Sequence, residues 1–137
     1  MADTFQLRLL TPERSLFEGP VEAVIVPGEN GQLGVLAGHT KLVTTLVPGV
    51  VRYVASGQTH QVAASGGFAE VSPGGVTILA DTAEPPQEID RQRAERSRQE
   101  ALQALAKRAE LDEKEVSRLE ARLARALNRL KVADSAR

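Results

Sequence analysis

Along the first 84 residues the apolar positions come in short runs. Many alternate with polar ones, as at Phe5, Leu7 and Leu9 or at Val24 and Val26. The runs read "TFQLRLL", "VEAVIVP", "LVTTLVP", "VVRYVAS", "THQVAAS", "FAEVS" and "VTILAD", rich in valine, isoleucine and threonine, with glycine and proline between them. A period of two broken by turn residues marks strands, because successive side chains point to opposite faces. Seven or more strands in this length predict an antiparallel β-sandwich or flattened barrel. "SPGG", Ser72 to Gly75, predicts a tight turn between two of them, with glycine supplying positive φ.

The pattern changes across "EPPQEIDRQRAER", Glu84 to Arg96, and no glycine or proline follows Pro86. Pro85 and Pro86 stop any strand from running on. Asp90 is placed to cap a helix reaching about Ala109. Asp112, with Glu115 three residues on and Leu111 and Val116 as a hydrophobic staple, starts a second. Val116, Leu119, Leu123, Leu127 and Leu130 recur at three- and four-residue steps as one apolar stripe. Arg118, Arg122, Arg125 and Arg129 form a second row, ~130° away at ~100° per residue. The predicted organisation is therefore residues 1–86 as an N-terminal antiparallel β-sandwich and 87–137 as a C-terminal two-helix antiparallel hairpin.

The first helix has few apolar residues, and helices of this size are marginal without tertiary packing. The hairpin is thus predicted to be able to detach, extend or dock elsewhere. On spacing alone the arginine row reads as a solvated face with Glu/Arg pairs, worth ~0.3–0.5 kcal/mol each. Charge sharpens the alternative of a dock for anions or acidic surfaces. The net charge of −1 hides four Lys/Arg against nine Asp/Glu up to Glu88, and thirteen against nine from Ile89 onward. The two halves differ in sign, which is a statement about partners.

Composition removes most chemistry. There is no cysteine, so neither disulfides nor thiolate metal sites arise, and two histidines make a transition-metal site an unlikely design. Aromatic residues are 3% of the chain, so the core is predicted to be aliphatic, with Phe5, Phe17, Tyr53 and Phe68 as core or edge packing. His39 in "GHTKL" reads as a hydrogen-bonding loop residue. Ser65 in "ASGGFAE" is not in a nucleophile elbow, and "PGENGQLG" lacks the Lys-Ser/Thr ending of a phosphate loop. No catalytic residue, metal site or cofactor is predicted, and the chain is not expected to be an enzyme in its own right. No apolar run approaches the ~20 residues of a membrane span. "MADTFQLRLL" lacks the features of a signal peptide, which predicts an intracellular protein.

"GQLGVLAGHTKLVTTLVPGVVR" and "SGGFAEVSPGGVTILADTAE" closely resemble the epsilon subunits of bacterial F-type ATP synthases, and "TPER", "FEGPVEAVIVPG" and the two-helix tail follow in that family's order. The resemblance implies a subunit of the rotating central stalk. Its sandwich would bind the gamma subunit and sit on the c-subunit ring, on the cytoplasmic face of the plasma membrane, with Gln32, His39 and Leu42 at the partner interface. Its hairpin would either fold against the sandwich or extend along gamma into the alpha/beta head and block ATP hydrolysis. In the extended state Arg118, Arg122, Arg125 and Arg129 would meet an acidic segment of the beta subunit.

The resemblance also implies ATP as a regulatory ligand. In some members "I/L-D-x-x-R-A" helps bind ATP, and here "IDRQRA" matches it at Ile89, Asp90, Arg93 and Ala94, with Glu84 upstream and Arg125 and Arg129 on the second helix. Guanidinium groups from both helices would converge on the triphosphate, and Asp90 and Glu84 would accept from adenine or ribose. The chain departs from the family pattern at Glu100, where ATP binders carry arginine, at Lys41, where proline is usual, and at Gln32, where glutamate is common. The competing class is a basic hairpin adaptor for nucleic acid or acidic proteins. No aromatic stacking residues accompany the basic tail, so nucleic acid is not the expected partner.

Overall fold

The computed structural model describes residues 3–38 and 41–135. Eight strands come first: β1 (Phe5–Leu10), β2 (Ser15–Val21), β3 (Ala23–Gly28), β4 (Gly31–Val35), β5 (Leu42–Thr45), β6 (Gly49–Ala55), β7 (Gln58–Ser72) and β8 (Gly75–Glu84). They form one sheet in the order β2-β1-β8-β7-β6-β3-β4, with β5 added on β7. Every pairing is antiparallel except β1 with β8, which run parallel.

The sheet folds over because β7 serves two partners in turn. Its first half pairs with β6, from Gln58↔Ala55 to Ala64↔Gly49, and its second half with β5, from Phe68↔Thr45 to Val71↔Leu42. Between the halves Gly66 and Gly67 take φ of +72° and +88°. A Cβ on Gly67 would lie 1.9 Å from the Leu79 carbonyl oxygen, so only glycine allows β7 to bend against β8 there. The free end of β5 then turns back to β3: Glu29 N–H donates to the Thr45 carbonyl at 2.9 Å and Val47 N–H to the Pro27 carbonyl at 3.0 Å. "THQVAAS" and "FAEVS" are thus one bent strand rather than two. "SPGG" is the predicted turn, with Ser72 paired to Gly75, but neither Gly74 nor Gly75 takes the positive φ expected of it.

Alternation places Phe5, Leu7 and Leu9 of β1 inside, in one cluster with Val24, Val26, Val51, Val71 and Ile78. Leu7, Leu9 and Ile78 are fully buried, and each contributes about 1.5–3 kcal/mol by leaving water. The core is aliphatic, with Phe5 and Tyr53 buried at its margin, whereas Phe68 is exposed. Phe17, Tyr53 and His60 form a short aromatic ladder, with ring centroids 4.7 and 5.0 Å apart. Burial raises the Tyr53 hydroxyl above its ordinary pKa.

A 3-10 turn, Pro86–Glu88, leads into α1 (Arg91–Leu105), and α2 (Glu113–Ser135) returns alongside it. Both predicted caps form. Asp90 Oδ1 accepts from Arg93 N–H at 3.0 Å, and Asp112 Oδ1 from Glu115 N–H at 2.8 Å. The first helix ends at Leu105, earlier than the expected Ala109, because Lys107 leaves helical geometry (φ −102°, ψ 28°) and a 3-10 turn, Arg108–Glu110, follows. Antiparallel register is fixed by Arg91 with Asp134, Ser97 and Glu100 with Arg122, and Arg108 with Glu120. No helix among the described residues is long and apolar enough to cross a membrane.

The hairpin's buried residues are Ala94, Ala101, Ala126 and Val132. Of the predicted leucine stripe, Val116, Leu119, Leu123 and Leu130 are half-buried and Leu127 is exposed. Leu127 faces a groove between α2 and the β3–β6 side of the sandwich, beside Val47 and Pro48. Sandwich and hairpin meet through polar contacts at the C-terminal half of α2. Asn128 Nδ2 donates to the Gly49 carbonyl, and Arg129 Nε to Glu84 Oε1 at 2.5 Å. Arg14, after β1, clasps Glu88 with both terminal nitrogens. This contact pulls the Glu88 carboxyl below its ordinary pKa.

Candidate functional site

A cleft of about 520 Å³ lies between the start of α1, the middle of α2 and the end of β8. Its position follows from three local decisions in the sequence. The proline pair ends β8 at Glu84 and turns the chain; Asp90 fixes the first turn of α1; and the antiparallel return of α2, with Asp134 against Arg91 and Arg122 against Ser97 and Glu100, lays its middle turns along the first half of α1. Arg93 and Arg96 enter the cleft from α1, and Arg122, Arg125 and Arg129 from α2. Ala94, 3% exposed, gives the helices room to approach.

Six of the seven residues expected around ATP line this cleft: Glu84, Asp90, Arg93, Ala94, Arg125 and Arg129. Ile89 does not line it and is half-buried at the helix entrance. The two acids are already engaged. One oxygen of Asp90 caps α1, and one oxygen of Glu84 holds Arg129. Each retains a second oxygen for a ligand.

The arginines divide into two groups. Arg129 is paired with Glu84, and Arg122 with Glu100 at 2.6 Å. Among the described residues no ion pair forms at Arg93, Arg96 or Arg125. Three guanidinium groups from two helices therefore face one cavity without a carboxylate partner, which favours a polyanion. Glu88, Arg96, Ser97 and Arg122 were not assigned to this cavity from sequence, and Glu100 was noted only as a departure from the family pattern. Their membership depends on the register of α2 against α1, which spacing within one helix does not reveal.

The predicted arginine row is therefore not one solvated face. Arg122, Arg125 and Arg129 turn into the cleft, and Arg118, one turn earlier, does not line it. In the sandwich, Gln32 is exposed on β4 opposite Pro27, and Leu42 is half-buried on β5 and packs against the core. His39 lies outside the described residues. A second cavity, about 510 Å³, gathers Arg14, Tyr53, His60 and Glu88 and was not anticipated.

An eight-stranded folded sheet carrying a two-helix hairpin on its flank, with an arginine-lined cleft inside the hairpin, defines a two-module protein of β-sandwich and helical hairpin. Comparison with known proteins narrows that class. The beta-sandwich domain of the ATP synthase Delta/Epsilon chain matches residues 4–86, and its long alpha-helix domain matches residues 87–134. The ATP synthase epsilon chain of Desulfitobacterium hafniense (strain Y51) is 42% identical over 133 residues, covering 97% of this chain and 98% of that one. That of Bacillus pumilus (strain SAFR-032) is 46% identical over 130 residues, covering 95% and 97%. A chain of the Euglena gracilis mitochondrial ATP synthase, solved as OSCP/F1/c-ring in rotational state 1, superposes with a TM-score of 0.74 at 31% identity, covering 97% of this chain and 81% of that one. The chain belongs to the ATP synthase delta/epsilon family, as an epsilon-type, non-catalytic subunit.

Proposed function

We propose that this subunit works in the central stalk of a rotary ATP synthase, that its sandwich joins gamma and the c ring, and that its hairpin is a brake on ATP hydrolysis released by ATP bound in the cleft. The Euglena relative, solved within an F1/c-ring assembly, supports the choice of partners. The observation that carries the regulatory part is the convergence of Arg93, Arg96 and Arg125 on one cavity while the hairpin is folded. The volume, about 520 Å³, suits a nucleotide-sized ligand.

The mechanism follows from where the guanidinium groups come from. A ligand shifts a two-state equilibrium only by its differential affinity for the two states. If the helices separate, Arg93 parts from Arg125 and Arg129 and the site no longer exists. ATP therefore stabilises the folded hairpin, by ~2.7 kcal/mol at a hundredfold excess over its dissociation constant. Opening releases Arg122, Arg125 and Arg129 together, so the groups that hold a phosphate when folded face an acidic segment of beta when extended. Anion site and brake exclude one another because they use the same side chains. A nucleic-acid role draws no support, since most of the arginine row points inward.

Two measurements test this. In the assembled enzyme, removing residues beyond Glu88 should raise ATP hydrolysis while proton-coupled synthesis persists; unchanged hydrolysis in a complex that is latent with the full chain rejects the brake. In calorimetric titration of the full chain, Arg93→Ala should weaken ATP binding about tenfold or more, the size of one charge-assisted bond. Arg118→Ala should leave it unchanged. Equal loss from both rejects the cleft as the nucleotide site.

A further inference from the structure

We propose that Glu100 is an internal counter-ion of the arginine cleft: it holds Arg122 until a polyphosphate takes that guanidinium over, and so sets the affinity of the site. The proposal rests on the reading of the cleft as an ATP site and says how its affinity is fixed.

Arg122 reaches from α2 across to α1. Its Nε donates to Ser97 Oγ at 3.0 Å, and one terminal nitrogen donates to Glu100 Oε2 at 2.6 Å. Ser97, Glu100 and Arg122 all line the cavity, so the pair is part of its wall and not a remote strut. The side chains are 40% and 53% exposed, and a pair so open to water is held weakly. A phosphate group, with more charge and three acceptor oxygens, competes well for the guanidinium. The Ser97 hydroxyl can keep Arg122 oriented while its anionic partner changes.

The other carboxylates of the cleft are committed elsewhere. Glu84 holds Arg129, Glu88 is clasped by Arg14, and Asp90 caps α1. Each of those contacts anchors the sandwich junction or the helix start. Glu100 is different: its partner is a guanidinium that a bound anion can use. Its charge opposes binding in two ways, by occupying Arg122 and by repelling phosphate directly. Removing that charge should strengthen the site, whereas removing Arg122 should weaken it.

A purely structural role predicts something else. If the pair only bolts α1 to α2, then Glu100→Gln and Arg122→Gln both loosen the hairpin, and both weaken binding. The test is calorimetric titration of the full chain and of Glu100→Gln, Arg122→Gln and Glu95→Gln, with ATP and, separately, with inorganic tripolyphosphate. Helical circular dichroism confirms that each variant folds. Glu95 pairs with Arg98 on α1 and does not line the cleft, so it controls for net charge alone.

The expected result is about tenfold tighter binding of both ligands by Glu100→Gln, about tenfold weaker binding by Arg122→Gln, and no change in Glu95→Gln. Losses of the same sign in Glu100→Gln and Arg122→Gln overturn the proposal, as does unaltered affinity in Glu100→Gln or an equal gain in Glu95→Gln. If tripolyphosphate gives the expected pattern but ATP binds no variant, the nucleotide reading falls and the counter-ion stands. If neither ligand binds at millimolar concentration, both fall.

Discussion

The sandwich and the hairpin are built on different terms. The sandwich buries Leu7, Leu9, Ile78 and a set of valines in one continuous core, and its sheet closes on itself through β5 and β3. The hairpin buries three alanines and Val132, and is held together and to the sandwich by exposed or half-exposed polar pairs. Each buried methyl or methylene contributes about 0.8 kcal/mol, so the alanine interface adds little. Exposed ion pairs add about 0–1 kcal/mol each and weaken with salt. A chain that needed only a stable fold would not pair so robust a first module with so lightly fastened a second. The contrast suits the proposed switching of the hairpin by a bound ligand.

The most severe way to break the comparison is to cut the chain. A fragment ending at Glu88 retains every strand and the whole aliphatic cluster, so it should show cooperative thermal unfolding with a β-type circular dichroism spectrum. An unfolded fragment would mean that the hairpin is part of the core after all. Next come paired substitutions in the two modules. Leu9→Ala should destabilise the whole protein by about 3 kcal/mol, read as a shifted urea midpoint. Val132→Ala should cost about 1–2 kcal/mol, seen as earlier loss of helix while the sandwich transition stays in place. A single shared transition in both variants would remove the distinction between modules.

The smallest effect is electrostatic. The Arg14 guanidinium holds the Glu88 carboxyl below its ordinary value of 4.5. The folded-state value is the lower one, so this contact stabilises the junction fully above pH 4.5 and is lost as the pH falls through the depressed value. Glu88→Gln should therefore lower the thermal midpoint slightly at pH 7 and by less at pH 3. An equal difference at both pH values would show that the pair does not act through charge.

Comparison of sequence and structure shows which kinds of order are local. The end of the last strand was legible at Pro85 and Pro86, and both helix starts at Asp90 and Asp112, because caps and prolines act within four residues. β2 and β4 were not, since "SLFEGPV" and "GQLGV" carry glycine or proline. Both are edge strands, where such residues are tolerated because one side makes no ladder. Gly66 and Gly67 looked like a break between strands and are a bend within one. The end of α1 was misplaced because "AKRAEL" has no stop signal; Asp112 and the return of α2 impose the turn. Most of the cleft was legible through Asp90, Arg93, Arg125 and Arg129. The Glu100–Arg122 pair was not, because it joins residues 22 apart on helices whose register only tertiary packing fixes.

The turn at residues 106–112 has a further consequence, one of reach. At 1.5 Å per residue, the 15 residues of α1 span roughly 22 Å and the 23 of α2 roughly 35 Å. Folded, the pair is no longer than α2 alone. Straightened at the turn, it would extend to nearly 60 Å from the pivot at Pro86. The contacts that keep it shut, Asn128 with Gly49, Arg129 with Glu84 and Arg91 with Asp134, sit near the far end of α2. That end would travel farthest if the arm swung out, so a few weak bonds beside the sandwich would govern a displacement longer than α2 itself.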